Sequence, residues 1–285
     1  MCLIVFDWRP DASGADKSAA VFTLTANRDE FLHRTAEPLN WWSDAPGVLA
    51  GRDLQGGGSW LGMTRDGRFA ALTNYRAPAE MRADAPTRGM LVSNWLTGER
   101  AATPLDYLNA VARDGDLYNG FNLLIGDWTR RELGWYCNRP PVAMGTQAAP
   151  QLLTPGTHGI SNAVLDTRWP KLVRKRSELA GLLATDAQPP LGTLIELMRD
   201  PRVARDDELP ATGIPLERER ALSAAFIDTP GYGTRGTTAL QVVASGADRD
   251  VTLHVSVTER SDDNGSHRIV RPGDFERSFS YDVQR

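Results

Sequence analysis

Hydrophobic and polar positions alternate in a way that places strands at both ends of the chain and helices in its middle. The opening run Met1-Cys2-Leu3-Ile4-Val5-Phe6 is unbroken and apolar. Its aromatic and β-branched members predict a buried strand. The run is too short to span a membrane, and it lacks the basic start and small-residue cleavage site of a secretory signal. Polar residues over 7–19 predict a turn, and the apolar run 20–26 predicts an antiparallel partner strand. Four polar residues, Asn27-Arg28-Asp29-Glu30, follow that strand directly. Residues 31–55 are weakly periodic and carry Pro38, Trp41, Trp42 and Pro46; they read as a loop long enough to shape a pocket. Segments 60–64 and 68–73 flank Asp66-Gly67, a strong hairpin signal, and the second of them ends in Asn74-Tyr75-Arg76.

The middle of the chain changes period. A helix is predicted over 87–96, with Met90, Leu91, Trp95 and Leu96 on its apolar side and Gly98 ending it. Thr103 as N-cap and Pro104 in the first turn open a second helix running through 112. Segments 121–126 and 132–137 read as paired strands, and His158-Gly159-Ile160-Ser161-Asn162 as a polar cluster after a Gly-Pro turn. Helices follow over 172–183, with Leu172, Leu179, Leu182 and Leu183 as the stripe, and over 191–198. An acidic, Pro-rich surface excursion occupies 200–215, and a further helix is expected over 217–227. Strand signals return at 239–244, opened by Arg235-Gly236-Thr237-Thr238, at 251–258, and at 275–283 as an edge strand, with a turn at 262–265. This order predicts a single α+β domain over residues 1–285.

Composition narrows the function classes. A net charge of -4 over 285 residues offers no positive field for nucleic acid. The two cysteines, Cys2 and Cys137, and the scattered histidines His33, His158, His254 and His267 form neither a disulfide framework nor a metal-ligand spacing. No metal site is expected. The absence of a secretion signal points to a reducing, cytoplasmic setting and the absence of a long apolar run to no stable membrane insertion.

The candidate chemistry begins at Cys2. Methionine is usually trimmed before a small residue such as Cys, and trimming leaves Cys2 with an α-amine beside its thiol. That amine has a pKa of roughly 8 and serves as the thiol's own base in an N-terminal nucleophile. The plainer reading makes Cys2 a buried small hydrophobe. A hairpin of the first two strands brings Arg28 near Cys2. Arg28 and Asp29 either pair with each other and cap the strand or act beside the thiol. Asn74 either forms a turn or donates its carboxamide NH2 to an oxyanion. Cys137 reads as a structural thiol and His254 as a face residue of its strand.

Cys2, Arg28, Asp29, Asn74, Asn162 and Arg235 each sit at or beside the end of an apolar stretch. With Met1-Cys2-Leu3-Ile4, Ala26-Asn27-Arg28-Asp29-Glu30, Gly57-Gly58-Ser59-Trp60-Leu61-Gly62, Leu72-Thr73-Asn74-Tyr75-Arg76, Gly159-Ile160-Ser161-Asn162 and Gly236-Thr237-Thr238, the chain resembles the NRDE family, also called the transport and Golgi organization protein 2 family. The blocks run in order from residue 1 to about 240. The family looks like a branch of the N-terminal nucleophile (Ntn) hydrolases. The resemblance implies a four-layer αββα sandwich, two stacked antiparallel sheets with helices outside. It implies Cys2 as nucleophile, Arg28 near its thiolate, Asp29 orienting the amine, Asn74 and Asn162 as oxyanion or substrate-amide contacts, and Arg235 as a second arginine.

The activity so implied is hydrolysis of a linear carbon–nitrogen (amide) bond in a small molecule, with no cofactor required. The family's association with haem trafficking and acyl-lipid handling implies an alternative, a non-enzymatic carrier of haem or an acylated ligand in the same pocket. Trp41, Trp42, Trp60 and Tyr75 then supply walls, and Cys2 or His158 an axial ligand. A third reading is an interaction module whose partner surfaces are 31–55 and 200–215.

Overall fold

The structure is a computed structural model and describes residues 2–12, 20–99, 101–139, 149–246, 251–261 and 275–284. Met1, most of the turn expected over 7–19 and the turn expected at 262–265 lie outside the described residues. The chain forms β1 (Cys2–Trp8) and β2 (Ala20–Phe31), then β3 (Ala36–Trp41), β4 (Val48–Asp53), β5 (Leu61–Thr64) and β6 (Arg68–Asn74). Next come α1 (Gly89–Thr97), α2 (Pro104–Arg113), β7 (Phe121–Asp127), β8 (Glu132–Cys137), β9 (Gln151–Leu152) and β10 (Gly156–Ile160). The last series is α3 (Pro170–Thr185), α4 (Leu191–Met198), α5 (Leu216–Ala221), β11 (Asp228–Thr229), β12 (Tyr232–Ser245), β13 (Thr252–Ser261) and β14 (Glu276–Asp282).

These elements make two antiparallel sheets, each with helices packed on it. They fall into two compact units, one of residues 1–33, 155–161 and 165–283, the other of 34–154, 162–164 and 284–285. The first unit holds the sheet β10-β1-β2-β12-β13-β14, with β11 paired to β12. Leu3, Val5 and Ala239 of this sheet pack against Leu172 and Leu179 of α3 and Leu194, Ile195 and Met198 of α4. Side chains alternate along a strand, so Cys2, Ile4 and Phe6 leave β1 on the face away from these helices. Pro170 fills the first turn of α3, where its missing N–H costs nothing. The expected edge strand is β14, the last of its sheet.

The second unit holds a meander, β3 through β9 in chain order. Leu91, Val92, Trp95 and Leu96 of α1 and Leu108 and Val111 of α2 cover Ala70, Leu72, Leu123 and Ile125. Thr103 caps α2 as expected, and Asp106 reciprocates to complete a capping box. Met90, placed on the apolar side of α1 from the sequence, is exposed instead.

Several expectations are corrected. Residues 31–55 are not one loop: they contain β3 and β4. β3 is an edge strand that buries only Leu39 and is bulged between Glu37 and Asn40, which is why Pro38 is tolerated and the pattern weak. The polar cluster from His158 belongs largely to β10, which pairs with β1 as an edge strand. β2 runs on through Asn27-Arg28-Asp29-Glu30 to Phe31 instead of ending at Ala26. β12 likewise starts at Tyr232, seven residues before the strand signal at 239. The helix expected over 217–227 ends at Ala221, and the excursion over 200–215 is anchored by buried Asp200 and Ala204.

Candidate functional site

β1 and β2 pair with Cys2 opposite Arg28. Directly opposite residues share a sheet face, so the two side chains leave β1 and β2 on the same side. Ser161, just past β10, donates its hydroxyl to the Cys2 carbonyl at 3.5 Å. The Asp29 backbone N–H donates toward the Cys2 thiol. The ladder thus sets the height of Cys2, with Arg28 across from it and Asp29 one step further along β2.

Asp29 is buried and its side chain faces the helices. Thr234 of β12 stands opposite it in register and donates its hydroxyl to Asp29 Oδ1 at 2.7 Å. Tyr232 donates its phenol to the Asp29 carbonyl at 3.1 Å. One residue further on, the β12–β2 register slips between Thr234 and Gly236, leaving Arg235 as the extra residue of a bulge. Bulges re-aim side chains in this way; Arg235 Nη1 donates to the Phe31 carbonyl at 3.0 Å. Cys2, Arg28, Asp29 and Arg235 therefore cluster at one end of β1, β2 and β12.

Burial is the largest influence on the Cys2 thiol and raises its pKa; the Asp29 charge adds to this, while Arg28 and the Asp29 amide work against it. Burial also raises the Asp29 pKa, against the pull of the Lys171 charge and the Thr234 hydroxyl. Burial thus works against the thiolate that the resemblance places beside Arg28. Cys137 is buried late in β8, where desolvation pushes its thiol up to about 11. That burial is in keeping with a structural thiol.

The remaining candidates are distributed differently. Asn74, Tyr75 and Asn162 lie in the second unit. The Asn162 carboxamide donates to the Asn74 carbonyl at 2.9 Å, and the Arg76 amide donates to the Asn162 carbonyl at 2.7 Å. This pair ties the end of β6 to the segment after β10. Trp42 is committed to the core beneath α1, with its indole N–H on the Ala50 carbonyl at 3.1 Å and the Arg52 guanidinium over its ring. Trp41 is half-buried beneath Arg65, and Trp60 and Tyr75 are half-buried as well. His158 lies in the first unit, on β10 opposite Phe6, with Nδ1 2.8 Å from Asp166 Oδ2. That is four residues along β1 from Cys2, about 13 Å at strand spacing.

Sequence reasoning missed Lys171, Thr234 and Tyr232, which surround Asp29. Lys171 carried a signal: it stands beside Leu172 and four before Lys175, on the stripe that Leu179 and Leu183 continue. Lysines on a buried stripe mark buried carboxylate partners.

Residues 1–261 match the family described as Transport and Golgi organisation 2. The Transport and Golgi organization protein 2 homolog of Homo sapiens is 35% identical over 292 residues, 96% of this chain and 99% of that protein. The Bos taurus homolog is 35% identical over 274 residues, covering 92% and 93%. Among solved structures, the chain is similar to a Caenorhabditis elegans N-acylethanolamine-hydrolyzing acid amidase ortholog, with a TM-score of 0.40, 7% identity and coverage of 84% and 92%. It is also similar to the C2A mutant of conjugated bile acid hydrolase from Clostridium perfringens, with a TM-score of 0.37, 9% identity and coverage of 99% and 97%. The chain belongs to the Transport and Golgi organisation 2 family.

Proposed function

We propose that the protein is an amide hydrolase of the N-terminal nucleophile type, with Cys2 as nucleophile once Met1 is removed. The observation that supports this is the register of β1 on β2. It sets Arg28 across from Cys2 and carries the Cys2 α-nitrogen, at the start of the strand, toward Asp29. A cysteine that merely packs has no use for two charged neighbours.

In this mechanism the α-amine of processed Cys2 takes the thiol proton as sulfur attacks the amide carbonyl. The resting thiol requires this base, because burial outweighs Arg28 in setting its pKa. Sulfur forms the new bond to carbon, and the carbonyl π pair becomes the oxyanion. Collapse then breaks the C–N bond, and the α-ammonium returns its proton to the leaving amine. Water, deprotonated by the same amine, releases the acyl group from the thioester. Arg28 stabilises negative charge on sulfur, and Asp29 holds the amine.

The test uses the full chain released from a cleavable fusion so that Cys2 is the first residue. A panel of N-acyl p-nitroanilides and N-acyl amino acids is assayed by chromophore release and by mass spectrometry. Hydrolysis of at least one member, abolished in Cys2→Ala, is expected. A protein with Cys2 first that cleaves none, or a Cys2→Ala variant that cleaves at the wild-type rate, contradicts the reading.

A further inference from the structure

Lys171 lies in the first turn of α3, 2% exposed. Two general effects oppose an ammonium there. Burial strips it of water, and the positive end of the helix dipole repels it. Its neighbour Leu172 packs on Leu3 and Val5 of β1, so the first turn of α3 is pressed onto the strand that carries Cys2. The Lys171 charge acts on Asp29, itself only 1% exposed. Asp29 in turn receives the Thr234 hydroxyl at 2.7 Å on its carboxylate and the Tyr232 hydroxyl at 3.1 Å on its carbonyl. A buried lysine in so unfavourable a place is explained by the carboxylate it serves.

We propose that Lys171 is a positioning residue for Cys2, keeping Asp29 ionised and in place so that its carboxylate holds the α-amine of processed Cys2. The inference rests on the N-terminal nucleophile reading for its purpose. The contact itself needs only a Cys2 that is first in the chain. Without Lys171, only the α-ammonium opposes the burial of the Asp29 charge; the carboxyl takes up a proton more readily and its hold on the amine weakens.

The direction of the effect separates this role from a direct one. Lys171 acting straight on the amine depresses the amine's pKa by like-charge repulsion, so its loss raises that pKa. Lys171 acting through Asp29 raises the amine's pKa, so its loss lowers it. Among the described residues, the charged groups acting on Asp29 are Lys171 from α3 and Glu30 of its own strand; the chain's N-terminal ammonium acts on it too, and the Thr234 and Tyr232 hydroxyls from β12 donate to its carboxylate and carbonyl.

The experiment is an NMR titration of the full chain starting at Cys2, labelled with 13C at cysteine. Only Cys2 and Cys137 carry label, and the Cys2 Cα resonance reports the amine. Lys171→Met is expected to lower the amine midpoint by about one unit or more. Asp29→Asn should lower it by the same amount, the double variant no further, and Lys171→Arg should keep the wild-type value. An unchanged or raised midpoint in Lys171→Met overturns the inference. If Lys171→Met does not fold, Lys171→Gln, neutral and still polar, carries the test: a midpoint lowered as in Asp29→Asn supports the proposal, and an unchanged or raised one rejects it. The titration needs no substrate. A lowered midpoint in a protein that cleaves no amide keeps this inference and rejects the hydrolase reading; an unchanged midpoint in an active hydrolase does the reverse.

Discussion

Asn27 and Asp29 stand two apart on β2, face the same helices, and do different work. The Asn27 carboxamide donates to the Met198 carbonyl at 3.0 Å and the Ala225 carbonyl at 2.7 Å, and accepts the Thr237 hydroxyl at 2.7 Å. Met198 ends α4, so Asn27 satisfies one of the carbonyls a helix C-terminus leaves unpaired. Asn27 is thus structural, while Arg28 faces Cys2 and Asp29 faces Lys171. Four consecutive polar residues divide between two sheet faces because side chains alternate. Asn27→Ala strands two buried carbonyls and a hydroxyl. It is expected to lower unfolding stability by roughly 2–4 kcal/mol, read in urea melts, with cooperative unfolding retained. A loss below about 0.5 kcal/mol contradicts this role.

At the scale of elements, the glycine run before β5 shows how tightly the second unit is assembled. Gly58 has φ +74°, and a Cβ built there meets the Gly89 backbone carbonyl at the start of α1. The absent side chain lets the Ser59 amide donate to the Gly89 carbonyl at 3.2 Å. Gly58→Ala therefore combines backbone strain with a backbone clash and should cost about 2 kcal/mol or more. A thermal melt matching wild type rejects the close approach.

The helices α2, α3 and α4 and the hairpin at Asp66-Gly67 were legible in the sequence, α2 through its Thr103 cap, α3 and α4 through their apolar period and the hairpin through its turn residues. The edge strands β3 and β10 were not. An edge strand buries one face at most, so it lacks the apolar run that marks β1. The polar tail of β2 was read as the end of a strand because a buried Asn or Asp reveals its partners only once helices are folded over it. Cys2, Arg28 and Asp29 were legible through pairing of consecutive strands. Lys171 was not, since its partner lies more than a hundred residues earlier in the chain.

At the scale of the whole molecule, buried charge makes stability depend on pH. Asp200 is bound by Lys175 at 2.8 Å and by Arg202 at 2.8 Å. Despite burial, those partners hold its pKa far below the usual carboxylate range. Asp166, between His158 and Arg176, is lowered as well. A carboxyl whose pKa is lower folded than unfolded stabilises the fold above its unfolded value of about 3.9 and loses that contribution as pH falls. Asp29, raised by burial, works in the opposite sense: the fold is favoured while it is protonated, and that contribution is lost as pH rises through its folded pKa. The melting temperature should therefore fall steeply below about pH 4. Asp200→Asn should flatten that slope while lowering stability near neutrality by about 1–3 kcal/mol, because buried Lys175 loses this partner and keeps only Glu178 at 2.6 Å. A slope unchanged in Asp200→Asn contradicts the assignment.

The central claim is that Cys2 becomes a nucleophile when it becomes the first residue. It is tested most directly by acid-quenched peptide mass spectrometry with an N-acyl p-nitroanilide that the protein cleaves, comparing protein that begins at Cys2 with protein that keeps Met1. The account predicts an acyl thioester on Cys2 in the first, none on Cys137, and neither adduct nor turnover in the second. Equal turnover by the two forms, or an adduct on any residue other than Cys2, contradicts it.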